Sequence, residues 1–181
     1  MIIYKILIFI VIIMFLSCGG SPEKQPEPIP YSEIKNLYKD ELMEWNKEIT
    51  QTDKLIIEKF IERRKWDMNM SGTGLFYQIY HHGNGKKAEN GKYAEFKYTT
   101  SLLDGTVLYT SEEYGNRTLL IGRFDREIGL HEGLQLMRVG DKARFVLHPF
   151  LAFGLPGDGY KVPLQAILLY DIELIDVRDN E

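Results

Sequence analysis

Cysteine is almost absent from this sequence, since Cys18 is the single example among 181 residues. One cysteine excludes an intramolecular disulfide and a cysteine-rich metal cluster. A strong excess of one charge is also missing, because the formal net charge is -4. We therefore expect no nucleic-acid partner. Glycine and proline occur without a period, which excludes a collagen-like chain. The length fits one compact domain with appendages.

Long apolar runs are lacking everywhere except at the N-terminus, where residues 6–16 are apolar and uncharged. The run is too short to span a bilayer comfortably, since about 20 residues are needed. Its length is typical of the apolar core of a signal peptide. The letters LSCG that end at residue 19 resemble a bacterial lipobox. We therefore expect a lipoprotein signal peptide over residues 1–17.

The lipobox predicts cleavage before Cys18 and acylation of its sulfur. Two or more acyl chains suffice for stable membrane anchoring. We expect the protein to be lipid-anchored to a bacterial membrane and to face the periplasm, with inner or outer membrane left open. The alternative is a plain signal peptide or an uncleaved anchor with an incidental cysteine.

Residues 18–30 are rich in proline, glycine and charge, which predicts an extended tether. Residues 31–70 have apolar residues at helical spacing and predict a helical segment. One helix is expected to begin after Pro30. A second is expected at Thr50, because Thr50 and Asp53 have the spacing of a capping box. Basic residues 63–65 lie near its end, where cations suit the helix dipole; contact with anionic lipid is the alternative.

From residue 71 to residue 178 the pattern predicts one domain made mainly of strands. Strands are expected over residues 75–82, 93–103, 106–109, 117–122, 142–148 and 167–177. Asp104-Gly105 is a strong hairpin signal. A helix over residues 129–137 would place Leu130, Leu134 and Met137 on one face. The sum is an α+β fold with an antiparallel sheet and one short internal helix.

Five short stretches in this order resemble the FKBP-type isomerase domain. They are Thr73-Gly74-Leu75 with Tyr77 and Ile79; Tyr98-Thr99 with LLDGTV at 102–107; Gly122 with GL at 129–130 and EGL at 132–134, leading to Met137 and Gly140; Pro149 with AFG at 152–154; and Pro163 with DIEL at 171–174. The resemblance implies an FKBP-like curved antiparallel β-sheet wrapped on a short helix, preceded by N-terminal helices. The whole chain also resembles the gliding-motility-associated isomerase lipoproteins of Bacteroidetes-type bacteria.

That family implies peptidyl-prolyl cis-trans isomerisation. The barrier is the partial double bond of the X-Pro amide, about 18–20 kcal/mol. A catalyst must prefer the twisted amide over the planar one, which calls for an apolar pocket and no cofactor or metal. The adjacent histidines at 81 and 82 would face opposite sides of a strand and could not easily chelate together. The family's pocket positions carry Tyr98, Leu108, Tyr109, Leu130, Phe153, Val162 and Tyr170.

Several of these positions depart from the family pattern. Tyr109 stands where the family has an aspartate, and Phe153 replaces a tyrosine whose hydroxyl normally bonds the ligand. Arg117 occupies an aromatic wall position. Arg126-Glu127 stand where a Val-Ile pair lines the rim, unless a shift of one residue restores Ile128 there.

Three functions follow from these residues. The first is a peptidyl-prolyl isomerase that acts on proline-containing extracytoplasmic proteins, including gliding-motility or secretion components. The second, favoured by the departures, is a peptide-binding chaperone without catalysis. The third is a structural lipoprotein of a larger surface assembly. The oligomeric state is left open.

Overall fold

The computed structural model describes residues 39–123 and 127–179, with side chains from residue 47 onward. Cys18, the predicted signal peptide and the predicted tether lie outside the described residues. Residues Glu44–Glu181 cluster into one compact unit. Within the described ranges, no helix is both long and apolar enough to cross a membrane.

Helix α1 runs without a break over Lys39–Arg64. The predicted start of a second helix at Thr50 is therefore wrong, because Thr50 and Asp53 both lie inside α1. Residues 46–53 contain neither glycine nor proline, so the backbone hydrogen bonds continue and no cap is needed there. The apolar spacing nevertheless identified residues that the helix buries. Ile57 and Phe60 are buried, and Ile57 packs with Phe76 and Val146 of the sheet.

The described residues form one antiparallel sheet of seven strands. These are β1 (Asn69–Met70), β2 (Phe76–His81), β3 (Tyr93–Leu102), β4 (Val107–Thr110), β5 (Arg117–Leu120), β6 (Lys142–Leu147) and β7 (Leu168–Arg178). Their order is β1-β2-β6-β7-β3-β4, and β5 also pairs with β3. The predicted α+β class and antiparallel sheet are confirmed. Strand β1 was not predicted, because two residues are too few to show the alternation of apolar and polar side chains that marks a strand.

Strand β3 is long enough to hold two short strands along one edge. Residues 93–96 pair with β5 and residues 99–101 pair with β4. The predicted Asp104-Gly105 turn joins β3 to β4. Gly105 has φ +97°, and the Asp104 carboxylate accepts a hydrogen bond from the Thr106 N–H at 2.8 Å. A side chain with φ > 0 would be strained, which explains the glycine.

Three short helices complete the domain: α2 (Ser111–Tyr114), α3 (Ile128–Gln135) and a 3₁₀ turn (Pro149–Leu151). Helix α3 confirms the predicted internal helix, although it ends before Met137. Leu130, Leu134 and Met137 are fully buried, as their spacing predicted. Helix α3 packs so closely on β6 that a Cβ at Gly133 would lie 2.6 Å from the Phe145 ring.

Candidate active site

The seven side chains predicted from the family positions all belong to the main hydrophobic core of the domain. We call this set the pocket cluster: Tyr98, Leu108, Tyr109, Leu130, Phe153, Val162 and Tyr170. They come from β3, β4, α3, β7 and the loop between β6 and β7. Five are buried, whereas Tyr109 and Phe153 are partly exposed. Residues far apart in sequence therefore form one candidate site.

The floor of the site is closed to solvent. Leu130 is 0% exposed and Tyr170 is 1% exposed. Tyr109, Phe153 and Arg117 keep partly exposed surface around this floor. A surface hollow of about 530 Å³ lies beside Phe153 and is lined also by Phe150 and Pro156. Of the seven side chains, this hollow is lined by Phe153 alone.

A partly buried ion pair joins two charged departures from the family pattern, Arg117 and Glu127. The third, Arg126, lies outside the described residues. The Arg117 guanidinium donates to both Glu127 carboxylate oxygens, with N–O distances of 2.6 Å and 3.2 Å. The Tyr170 hydroxyl also donates to Glu127. The sequence analysis treated Arg117 and Glu127 as separate departures. Their opposite charges at two apolar family positions were the signal that could have predicted the pair.

Glu127, rather than Ile128, occupies the inward position. Glu127 is buried, whereas Ile128 is 42% exposed. The alternative alignment, which returns Ile128 to the rim, stays a prediction. The burial of Glu127 has an electrostatic reason: a carboxylate is stable there only because Arg117 and Tyr170 supply its hydrogen bonds.

Arg117 also lies against the aromatic wall of the site. Its guanidinium carbon is 5.6 Å from the centre of the Tyr98 ring and 5.7 Å from that of Phe96. Both distances are within the range of cation–π attraction. Phe96 and Tyr98 alternate with exposed Lys97 on β3, so both rings face the core. Arg117 is thus held from two sides, by rings and by a carboxylate.

The protonation states of these groups follow from burial and the ion pair. Burial opposes the charge of Arg117, but the hydrogen bonds and charge of Glu127 outweigh it and raise the Arg117 pKa. Burial raises the pKa of Tyr170 well above its usual value, and the Glu127 charge raises it further. Burial also raises the pKa of Tyr98, against the effect of Arg117. Near neutral pH the site therefore holds a guanidinium cation and two protonated phenols.

Asp158 organises the loop that carries Phe153 and Val162, and the sequence analysis missed it. One carboxylate oxygen accepts the backbone N–H groups of Tyr160 and Val162, each at 2.8 Å. The other oxygen accepts a hydrogen bond from the Tyr109 hydroxyl. Short-range bonds from an aspartate to backbone two residues on are a common turn device. The Gly-Asp-Gly context at 157–159 was the available signal.

This arrangement suits binding and orientation rather than covalent chemistry. Aromatic and aliphatic side chains offer an apolar surface for a ring-shaped group, and a few polar donors at its edge can orient it. The phenols stay protonated, so they act as hydrogen-bond donors and not as bases. Such a site can favour one conformation of a bound amide over another.

Comparison with known proteins identifies the family. The family described as FKBP-type peptidyl-prolyl cis-trans isomerase matches residues 84–175, about half of the chain. A probable FKBP-type peptidyl-prolyl cis-trans isomerase of Haemophilus influenzae is 34% identical over 113 residues, which are 62% of this chain and 46% of that protein. The isomerase FkpA of Buchnera aphidicola is 31% identical over 148 residues, which are 81% of this chain and 57% of that protein. The chain thus spans about half the length of these relatives.

The fold agrees with a solved structure. The crystal structure of FkpA from Escherichia coli has a TM-score of 0.59, with 24% identity, and the match covers 83% of this chain and 74% of that one. That likeness is one of fold. Together with the family match over the strands and helix that build the pocket cluster, it leads to one conclusion: this chain belongs to the FKBP-type peptidyl-prolyl cis-trans isomerase family.

Proposed function

We propose that the protein is a peptidyl-prolyl cis-trans isomerase that assists the folding of proline-containing polypeptides. The observation that carries the proposal is the family match over residues 84–175, a region whose hydrophobic core contains all seven family-position side chains. An apolar, water-poor surface disfavours the polar planar amide relative to the twisted one. No bond has to break, so no nucleophile is required. Each 1.36 kcal/mol of preference for the twisted amide is about tenfold in rate.

The test is exchange NMR of cis and trans X-Pro peptides in the presence of the full chain. We expect the protein to accelerate exchange and the Tyr98→Ala variant to lose most of the acceleration. Tyr98 is buried, so that variant could also fail to fold. Phe153→Ala is the second variant, because Phe153 is only partly buried. We expect it to lower kcat/KM about tenfold.

Tyr160→Ala is the matched control for Phe153→Ala. Tyr160 is an aromatic residue of the same loop but is 81% exposed. We expect this variant to keep wild-type kcat/KM. Absence of acceleration by the folded wild-type protein, across several residues before proline, would overturn the proposal.

A peptide-binding chaperone without catalysis is the second candidate. The Arg117–Glu127 ion pair favours it, because it puts charge against the otherwise apolar wall of the site. This candidate predicts that the protein suppresses aggregation of an unfolded client and binds X-Pro peptides without accelerating their exchange. Acceleration that is lost in Phe153→Ala would rule it out.

We further propose that the protein works outside the cytoplasm, anchored through lipid on Cys18, and that its clients include gliding-motility or secretion components. The lipobox-like LSCG after an apolar run supports the anchor. Metabolic labelling with a fatty-acid analogue tests it. We expect label on the wild-type protein and none on Cys18→Ala. Equal labelling of both would contradict lipidation at this cysteine.

A further inference from the structure

The Arg117–Glu127 pair presents its positive half to solvent. The Arg117 side chain is 34% exposed, whereas the Glu127 side chain is 10% exposed. Glu127 accepts three hydrogen bonds, two from Arg117 and one from Tyr170. The carboxylate is thus both buried and well supplied with donors. A ligand that reaches this edge of the site meets a cation.

A second cation lies at the other edge, beside Tyr109. Asp158 accepts three hydrogen bonds, from the Tyr109 hydroxyl and from the N–H groups of Tyr160 and Val162. Lys161 keeps 29% of its side chain exposed, and its Nζ lies 5.4 Å from the centre of the Tyr109 ring. The more exposed Glu113 pairs with Lys161 at 3.4 Å. At this edge the cation is therefore the less exposed partner of its ion pair.

Arg117 is suited to receive a second carboxylate. A guanidinium carries five N–H donors, and two atoms of Arg117, Nη1 and Nη2, point to Glu127. The Tyr98 and Phe96 rings and Glu127 fix its position, so little side-chain entropy is lost when a ligand binds. The charge persists at any physiological pH, because guanidinium does not deprotonate in proteins.

The distance between Arg117 and the Tyr98 ring suits contact with the residue that precedes the proline. Neighbouring residues in an extended peptide are separated by about 3.3–3.6 Å. A proline ring seated against Tyr98 would place the preceding side chain within reach of a guanidinium whose carbon is 5.6 Å from the Tyr98 ring centre. Resting on the isomerase function proposed above, we propose that Arg117 is a specificity-determining residue that selects prolines preceded by aspartate or glutamate.

Peptides that differ only in charge before proline test this. The full chain is assayed by exchange NMR with matched Glu-Pro, Gln-Pro and Lys-Pro peptides. We expect kcat/KM for Glu-Pro to exceed that for Gln-Pro about threefold to fivefold, as suits a partly exposed ion pair. The preference should shrink as salt is raised, because exposed charges are screened.

The variant that tests the residue is Arg117→Met combined with Glu127→Gln. The double change removes the cation without leaving a buried unpaired carboxylate. We expect it to fold and to treat Glu-Pro and Gln-Pro alike. Lys161→Met is the matched control, since it removes a different cation, which lies beside Tyr109, and should leave the preference intact.

Three results would overturn the inference: equal kcat/KM for Glu-Pro and Gln-Pro in the wild type, a preference retained by the folded double variant, or a preference for Lys-Pro. Failure of the isomerase function is a separate result, in which none of the peptides exchanges faster. Peptide dissociation constants then decide the inference: tighter binding of Glu-Pro than Gln-Pro, lost in the double variant, supports it, and equal binding overturns it.

Discussion

The hydroxyl of Tyr109 donates a hydrogen bond to Asp158 and so joins strand β4 to the loop that carries Phe153 and Val162. Burial, followed by the hydrogen bond and charge of Asp158, raises the pKa of Tyr109 to about 12. Burial alone would raise the pKa of Asp158. The hydrogen bonds that the Asp158 carboxylate accepts outweigh burial and lower this pKa. The pair holds two parts of the candidate site together while Asp158 is ionised.

Asp158 should therefore make the fold sensitive to acid. Its folded pKa lies below the ordinary value of 3.8, so its contribution is complete above that value and is lost as pH falls through the folded pKa. We expect the free energy of unfolding of the wild type to fall more between about pH 6 and about pH 3 than that of Asp158→Asn. Urea titrations of both proteins across this range measure the difference, and parallel curves would contradict the prediction.

Removal of Arg117 alone should cost more stability than removal of the whole ion pair. Arg117→Met leaves the Glu127 carboxylate buried without its cation, and we expect a loss of about 1–3 kcal/mol. The partial exposure of Arg117 keeps the loss at the lower end of the cost of breaking buried pairs. The double variant with Glu127→Gln should recover much of it. Urea unfolding of both single variants and the double variant measures the coupling, and additive losses would show that the pair is not coupled.

The close contact between α3 and β6 should exclude even a methyl group at Gly133. A Cβ there would lie 2.6 Å from the Phe145 ring, which is fully buried and cannot move away easily. We expect Gly133→Ala to lower the free energy of unfolding by about 1–3 kcal/mol. Gly72→Ala is the control, because a Cβ at Gly72 meets nothing within 4 Å. Equal stability of the two variants in thermal unfolding would refute this packing.

Burial of His148 should make the domain less stable as pH falls below neutral. Burial lowers its pKa below 6.5, against the hydrogen bond with the Thr73 backbone and the charge of Asp53. The stability contributed by neutral His148 is fully present above about pH 6.5 and is lost as the pH falls through the folded pKa. His148→Gln, which does not titrate, should have a flatter stability profile between about pH 7.5 and about pH 5. Urea midpoints at the two pH values test this; equal slopes would show that His148 is not responsible.

The elements whose signals are local could be predicted from the sequence. Strand alternation places Phe96 and Tyr98 on one face, and Asp104-Gly105 supports a tight turn that few other dipeptides allow. Leu130, Leu134 and Met137 follow the helical period and are buried together. The family resemblance assigned the seven pocket positions, and all seven side chains lie in the main hydrophobic core. Their role as a binding site stays a prediction.

The pairing of the charged and polar groups could be seen only in the folded structure. Arg117 and Glu127 are ten residues apart, and Tyr109 and Asp158 are 49 apart. Each pair exists because different elements bring its members together, and no local pattern carries that information. The continuity of α1 through Thr50 is a similar case, since a capping box is needed only where a helix begins and the backbone N–H groups lack partners. Local periodicity depends on neighbours in the chain, whereas the stability of a buried charge depends on its partners in space.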